Sequence, residues 1–320
     1  MTISLSRRSL LAGFASTALA SPALATAPML GISRPTHYRF KIGAFEVTTI
    51  QDGVIQIPGP YPSFGKNASE EEVQALAAAH FLPTEQVEIG FTVTLVNTGN
   101  ELILFDAGHG GDTGRRPDAG QLLARLADAG YSADQVDKVV MTHFHRDHIG
   151  GLIEAGKPAF PNATYVMPAA EFDFWSPVER AEAEATAQVG KLVQSNIMPL
   201  AEKAQMIQPG ESVVSGIEAI DSSGHTPGHM AYSIESNGAR LMLIGDLCNH
   251  YIVSLKRPHW HNRFDMDKEK TIVKRKEILG QIAADRIPFV GYHMPGSAVG
   301  FLEFDGAGFE FVPASYQLNY

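Results

Sequence analysis

The sequence predicts an α/β protein of two similarly built halves, with its chemistry gathered at one edge of a sheet. Two observations carry this. Strand and helix signals alternate over residues 38–142 and again over 163–291. Several strand ends, at 106, 142, 224, 245 and 292, are followed or closed by Asp or His. With 320 residues, 44% of them hydrophobic and 19% charged, the chain can bury a large core in one domain of about 250–300 residues.

The first half opens with strand signals at 38–40 and 45–50, a turn at Asp52-Gly53, and a further strand at 54–57. Residues 69–79 have helical period. Ser69 serves as the N-cap, and the acids after it suit the positive end of the helix dipole. A hairpin of 91–97 and 102–106 turns at Thr98-Gly99-Asn100 and ends on Asp106. Residues 120–129 read as helix and 138–141 as strand. The second half gives strand 163–168, helix 169–175, a longer helix from 179 to about 196, and a strand at 213–220. Segments 230–235 and 240–244 flank Asn237-Gly238, a pair that favours the tight two-residue hairpin turn. An amphipathic helix over 268–284 and a strand over 288–291 complete the pattern.

Between the halves stands Thr142-His143-Phe144-His145-Arg146-Asp147-His148. Side chains alternate in extended backbone, so His143 and His145 point the same way and can grip one ion together. Asp147 and His148 follow as the chain turns through Ile149-Gly150-Gly151, and can face a second ion beside the first. Imidazole and carboxylate are ligands that borderline first-row divalent ions accept. The spacing predicts a binuclear metal site, zinc being the first choice, with Mn, Co and Fe also compatible.

Residues 1–25 are a different kind of sequence and are set apart from the fold. Ser6-Arg7-Arg8-Ser9-Leu10-Leu11 resembles a twin-arginine export signal. The apolar run 10–20 is too short to span a membrane as a helix of roughly 20 residues, and Ala23-Leu24-Ala25 fits a cleavage site. The expectation is a periplasmic or secreted protein, residues 26–320 forming one catalytic domain with no stable membrane insertion. Removing 1–25 takes away Arg7 and Arg8 and no acids, so the formal charge moves from −10 to −12. That balance argues against a nucleic-acid partner. A single cysteine, Cys248, excludes an intrachain disulfide.

Four further constellations point to a family. They are Leu104-Phe105-Asp106-Ala107-Gly108, Gly224-His225-Thr226-Pro227-Gly228-His229, Ile244-Gly245-Asp246 and Gly291-Tyr292-His293. With the histidine loop they fall in the order of the metallo-β-lactamase superfamily, and the chain resembles that superfamily over essentially all of 38–313. The resemblance implies an αββα sandwich with the metals at one edge of the β-sandwich. It implies that His143, His145 and His225 hold the first ion, that Asp147, His148 and His293 hold the second, and that Asp246 bridges both. Asp147 and Asp246 are then the catalytic carboxylates, and Asp106 is a supporting residue behind the ligands. Phe172-Asp173-Phe174-Trp175 and Phe311-Val312-Pro313 are similar to methyl parathion hydrolase and its lactonase and arylesterase relatives.

The resemblance implies a hydrolase acting on a small, neutral, hydrophobic lactone or aryl ester, with organophosphate triesters as a further class. Two ions about 3.5–4 Å apart acidify a shared water and polarise the scissile oxygen. Trp175 is expected at the pocket wall, with Trp260 as a second candidate. Asn249 stands where many lactonases of the superfamily carry a tyrosine that touches the substrate carbonyl. His250 could donate to the leaving group. It otherwise reads, with histidines 37, 80, 109, 229, 259 and 261, as a surface or satisfied core residue. Rival readings are a thioesterase of the hydroxyacylglutathione hydrolase type, a β-lactamase, an iron-dependent redox enzyme and a metal-binding protein without catalysis. Homodimers are common among such relatives.

Overall fold

Two seven-stranded sheets face each other because their strands alternate apolar side chains between two buried faces. The computed structural model describes residues 27–111 and 118–316, so the expected leader at 1–25 lies outside the described residues. From Arg34 onward the chain packs as one unit.

The first sheet comprises β1 (His37–Ile42), β2 (Phe45–Pro58), β3 (Gln86–Asn97), β4 (Leu102–Phe105) and β5 (Lys138–Val140). A small separate hairpin follows, β6 (Ile153–Glu154) and β7 (Lys157–Pro158), and then β8 (Thr164–Pro168) and β9 (Ala204–Ile207) complete that sheet in the order β1-β2-β3-β4-β5-β8-β9. The second sheet runs in sequence order through β10 (Ser212–Val214), β11 (Ile217–Asp221), β12 (Met230–Ser236), β13 (Ala239–Leu243), β14 (Phe289–Val290), β15 (Val299–Phe304) and β16 (Phe309–Pro313). The helices are α1 (Glu70–Ala79), α2 (Leu122–Asp128), α3 (Arg146–Ile149), α4 (Ala169–Trp175), α5 (Glu179–Glu182), α6 (Ala187–Asn196), α7 (Val253–Lys256) and α8 (Lys268–Asp285).

Period two sorts the core. Ile103 and Phe105 of β4, Val140 of β5 and Val166 of β8 join Tyr232, Ile234, Leu241 and Leu243 of the second sheet in one buried cluster. Their neighbours Leu104, Val139, Tyr165 and Met167 turn the other way, onto Leu122 and Leu126 of α2, Trp175 of α4 and Val193 of α6. On the second sheet, Ile278, Leu279 and Ile282 of α8 complete the packing. Each fully buried aliphatic or phenyl side chain contributes about 1.5–3 kcal/mol. Tyr232 ties the sheets together, its ring 5.1 Å from that of Phe105 and its hydroxyl donating to the Met141 carbonyl at 2.8 Å. The arrangement is the αββα sandwich.

Three local expectations need correction. Asp52-Gly53 is a bulge inside the continuous strand β2, not a turn. Asp52 is buried, and its carboxylate accepts the N–H groups of His109, Gly120 and Leu122, which leaves it no turn to cap. The helix expected over 179–196 is two helices, α5 and α6. They pack so closely that a Cβ on Gly190 would stand 2.4 Å from the Arg180 carbonyl. The strand expected at 213–220 is the β10–β11 hairpin, turning at Gly216 with φ +84°. Finally β6, β7, β9, β15 and β16 escaped the sequence reading. Among the described residues no helix is long and apolar enough to cross a membrane.

Candidate metal centre

The loops that leave β5, β11, β13 and β14 converge at one edge of the sandwich. After β5 the chain stays extended through His145, with φ −69° and ψ 159°, before α3 begins. His143 and His145 therefore stand on one side while Asp147 and His148 ride on the first turn of the helix. Close approach of two loops makes this possible, since a Cβ on Gly151 would stand 2.0 Å from the Ala107 carbonyl oxygen.

Two ligand clusters result. His143, His145, His225 and Asp246 form one; Asp147, His148, Asp246 and His293 form the other; in each, the ligand atoms lie within 4.8 Å of one another. The structure thus brings together all seven residues of the implied ligand set, with Asp246 common to both groups. His225 Nε2 lies 3.0 Å from His145 Nδ1 and 3.4 Å from Asp246 Oδ2. Across the centre, Asp246 Oδ1 is 3.1 Å from His148 Nε2, and Asp246 Oδ2 is 2.9 Å from His293 Nε2. Asp147 Oδ2 lies 3.4 Å from His148 Nε2.

These residues fit two divalent cations. His143 Nε2, His148 Nε2 and Asp246 Oδ1 are buried, point into the centre and make no hydrogen bond among the described residues. Buried polar atoms are normally paired, and two cations, one in each cluster, would account for all three. Protonation fits as well. Burial disfavours the anionic form of Asp246, but His293 and His148 outweigh it and hold the carboxyl well below its usual range. Asp147 is lowered in the same way, chiefly by His148. Burial, with the charge of His148, drives His143 well down, and burial with His225 takes His145 to about 3, so both stay neutral. His148 runs the other way: burial lowers it, but Asp246, Asp106 and Asp147 outweigh burial and raise it well above the usual value. Metal binding must displace that proton.

Four ligand imidazoles are aimed from behind, among them His143, whose Nδ1 lies 3.0 Å from Thr142 Oγ1. His148 Nδ1 lies 2.8 Å from Asp106 Oδ2, and Asp106 also accepts the Thr142 N–H at 2.8 Å. To reach both, Asp106 adopts φ 64° at the end of β4, a conformation that Asp tolerates better than most residues. His293 Nδ1 faces the Gly90 carbonyl at 2.8 Å, and His225 Nδ1 faces Asp265 Oδ1 at 2.9 Å. His229 is no ligand: its Nε2 accepts the Asp246 N–H at 3.0 Å, which leaves its proton on Nδ1 beside Ser222.

A cavity of about 530 Å³ opens over the ligands. Ile55, Ile57, Ile89, Phe91, Val189 and Phe264 give it an apolar wall, Arg146, Gln188 and Arg263 line it too, and the ligands His145, Asp147, Asp246 and His293, with His109 and Asn249, line the rest. Asn249 donates to Asp246 Oδ2 at 2.9 Å and is held in turn by Asn262. Trp175 is not at the wall. It is 2% exposed in the core beneath the first sheet, and its indole N–H donates to Glu171 at 2.9 Å. Trp260 is likewise buried and does not line this cavity. His250 lies in a neighbouring cavity, which His293 and Gly90 also line, and its Nδ1 accepts the N–H groups of Ile252 and Val253.

Sequence reasoning missed several residues. Glu171 is fully buried; it accepts the Phe144 N–H at 3.0 Å and the Gly228 N–H at 2.8 Å, bracing the loops that carry His143, His145 and His225. Asp265 and Arg275 were passed over as well. His109, read as an ordinary histidine, lines the cavity; its position just after the Asp106-Ala-Gly strand end was the available signal.

The solved structures most like this one include AidC, a dizinc quorum-quenching lactonase in complex with its product N-hexanoyl-L-homoserine. It matches with a TM-score of 0.81 and 27% identity over 88% of this chain and 98% of AidC. The hydrolase AbOPH of the β-lactamase superfamily matches with a TM-score of 0.82 and 25% identity, over 89% of this chain and 99% of that one. Among curated relatives, an N-acyl homoserine lactonase of Bacillus cereus is 26% identical over 124 residues, 39% of this chain and 43% of the relative. A probable metallo-hydrolase of Mycobacterium bovis is 29% identical over 182 residues, 49% of this chain and 56% of the relative. The chain therefore spans less than two thirds of the length of either curated relative. The family description "Metallo-beta-lactamase superfamily" matches residues 92–288. That span runs from within β3 to just beyond α8 and carries every ligand except His293, so the chain belongs to the metallo-beta-lactamase superfamily.

Proposed function

We propose that this protein is a two-metal hydrolase that opens a lactone bearing an apolar substituent. The observation that carries the reading is the pair of ligand clusters sharing Asp246 on the floor of an apolar-walled cavity. The likeness to AidC over most of both chains supports a lactone in particular.

When bound, two divalent ions supply an acidified water and an electrophile for the scissile oxygen. His143, His145 and His225 would hold one, Asp147, His148 and His293 the other, and Asp246 both. The protein does the rest. Asn249 fixes the Asp246 carboxylate by donating to Oδ2, and Asp147 is held ionised at the cavity floor, where it can accept a proton from the attacking water. Ile55, Ile57 and Ile89 alternate along the β2–β3 ribbon so that one apolar face meets the substrate; their neighbours Val54, Gln56, Gln86 and Glu88 face the other cavity. That wall excludes water and selects an acyl or aryl group. Aryl esters and phosphotriesters fit the same chemistry as secondary substrates, since two bound ions would polarise a carbonyl or a phosphoryl oxygen alike. Export and zinc as the native metal belong to the same proposal.

Hydrolysis of an N-acyl homoserine lactone in ¹⁸O-water tests the reading. One ¹⁸O in the carboxylate of the ring-opened acid, formed only after metal loading, supports it. An intact lactone with both metal sites filled overturns it.

A further inference from the structure

Arg275, midway along α8, is 0% exposed, and burying an unpaired guanidinium would cost several kcal/mol. Its partners explain why it is tolerated. Nε donates to the Leu247 carbonyl at 2.7 Å, Nη1 to the carbonyls of Pro258 and Trp260 at 3.2 and 3.3 Å, and Nη2 to Asp265 Oδ2 at 2.9 Å. Asp265 is itself 3% exposed, and its other oxygen lies 2.9 Å from His225 Nδ1. One guanidinium thus ties together the residue after Asp246, the loop leading to Asp265 and, through that carboxylate, a ligand histidine.

We propose that Arg275 and Asp265 form a positioning relay that keeps the proton of His225 on Nδ1, aims Nε2 at the first ion and sets the affinity of that ion separately from the second. The chemistry permits only this direction of donation. Asp265 Oδ2 lies 2.9 Å from Arg275 Nη2, both groups are buried, and a buried guanidinium is tolerated only beside an ionised carboxylate. An ionised carboxylate only accepts, so the imidazole must donate. The bidentate use of Asp265 leaves its plane, and therefore the ring plane of His225, little freedom. None of the other braced ligands has such backing: His143 leans on the Thr142 hydroxyl, His148 on Asp106, whose further partner is the neutral Thr142, and His293 on a backbone carbonyl. Outer partners of this kind change metal affinity by about 10–100-fold.

The inference rests on the two-metal reading but not on the identity of the substrate. The test titrates Co²⁺ into the metal-stripped full chain and its variants, with chelator competition giving two affinities. Cobalt-shifted imidazole N–H resonances assign each affinity to a site. Asp265→Asn should weaken the first ion by about 10–100-fold and leave the second unchanged. Arg275→Lys, which keeps the charge and loses the fork, should fall between Asp265→Asn and the parent. Equal weakening at both sites, or none at either, overturns the relay and leaves the pair as a brace for the loop. Should Asp265→Asn not fold, the parent chain still decides: a long-range ¹H–¹⁵N spectrum must place the His225 proton on Nδ1, and a proton on Nε2 overturns the proposal. A parent chain that binds fewer than two ions would count against the two-metal reading, and the same spectrum would still decide the relay.

Discussion

The two ion sites share Asp246 yet are built differently. The first offers three imidazoles, and its loops are braced by side chains buried deep in the fold: Glu171 under the histidine loop, Asp265 with Arg275 behind His225. The second offers a carboxylate of its own, Asp147, with His148 and His293, and leans on Asp106 and the Gly90 carbonyl. Nitrogen donors favour zinc-like ions, and added carboxylate makes a site more hospitable to harder ones such as Mn²⁺. The difference teaches that one centre can hold an orienting ion tightly and a second, more exchangeable one beside it. Asp147 and His293 of the second site and His145 of the first all line the cavity.

The comparison can be broken outright at the shared residue. Asp246→Ala should lose both ions and take kcat/KM to background, far beyond the roughly 10–100-fold loss typical of an outer partner; metal content and rate measured on one preparation check it. Full activity with two ions per chain would contradict the bridging role. Asp106→Asn tolerates the same backbone conformation, and should weaken chiefly the second ion, by about 10–100-fold, since Asp106 meets His148 directly and His143 only through Thr142. Paired with Asp265→Asn, it sharpens the contrast, because each variant should empty a different site.

A smaller effect lies behind His293. Burial holds His250 at about 4, below its ordinary value of 6.5, so the folded chain resists a proton that the unfolded chain accepts. Stability should therefore be lost as pH falls from about 6.5 to 4, by up to about 3 kcal/mol from this residue. His250→Gln should flatten that part of a melting-temperature profile. An unchanged slope would remove His250 from the account. Smallest is Trp175→Phe, which deletes one hydrogen bond to Glu171 at a cost of about 1 kcal/mol. Its kcat/KM should stay within a few-fold of the parent, whereas a large loss would restore Trp175 to the substrate wall.

How much of this could be read from the chain depends on the distance over which each signal acts. The His143 to His148 loop was legible because its ligands sit within six residues and backbone alternation orients them. His225, Asp246 and His293 followed from the order of short motifs. Asp265 and Arg275 were not legible: they lie 40 and 50 positions beyond His225, and an isolated acid or base carries no periodic signature before the fold delivers it. Glu171 was hidden for the same reason, and with it the reason that Trp175 turns inward. An amphipathic turn shows that aromatics are buried without saying whether core or cavity receives them. Asp52-Gly53 misled because that dipeptide favours turns, while the Asp52 carboxylate was already committed to three backbone N–H groups elsewhere.

The central claim is that two ions over an apolar-walled floor make a lactone hydrolase. The most direct test is kcat/KM of the chain loaded with two equivalents of zinc, measured side by side on an N-acyl homoserine lactone, an aromatic lactone and an aryl phosphotriester. The account predicts a preference for a lactone of at least about a hundredfold, roughly 2.7 kcal/mol of transition-state discrimination. A phosphotriester preference of the same size, or no cleavage of either lactone, would contradict it.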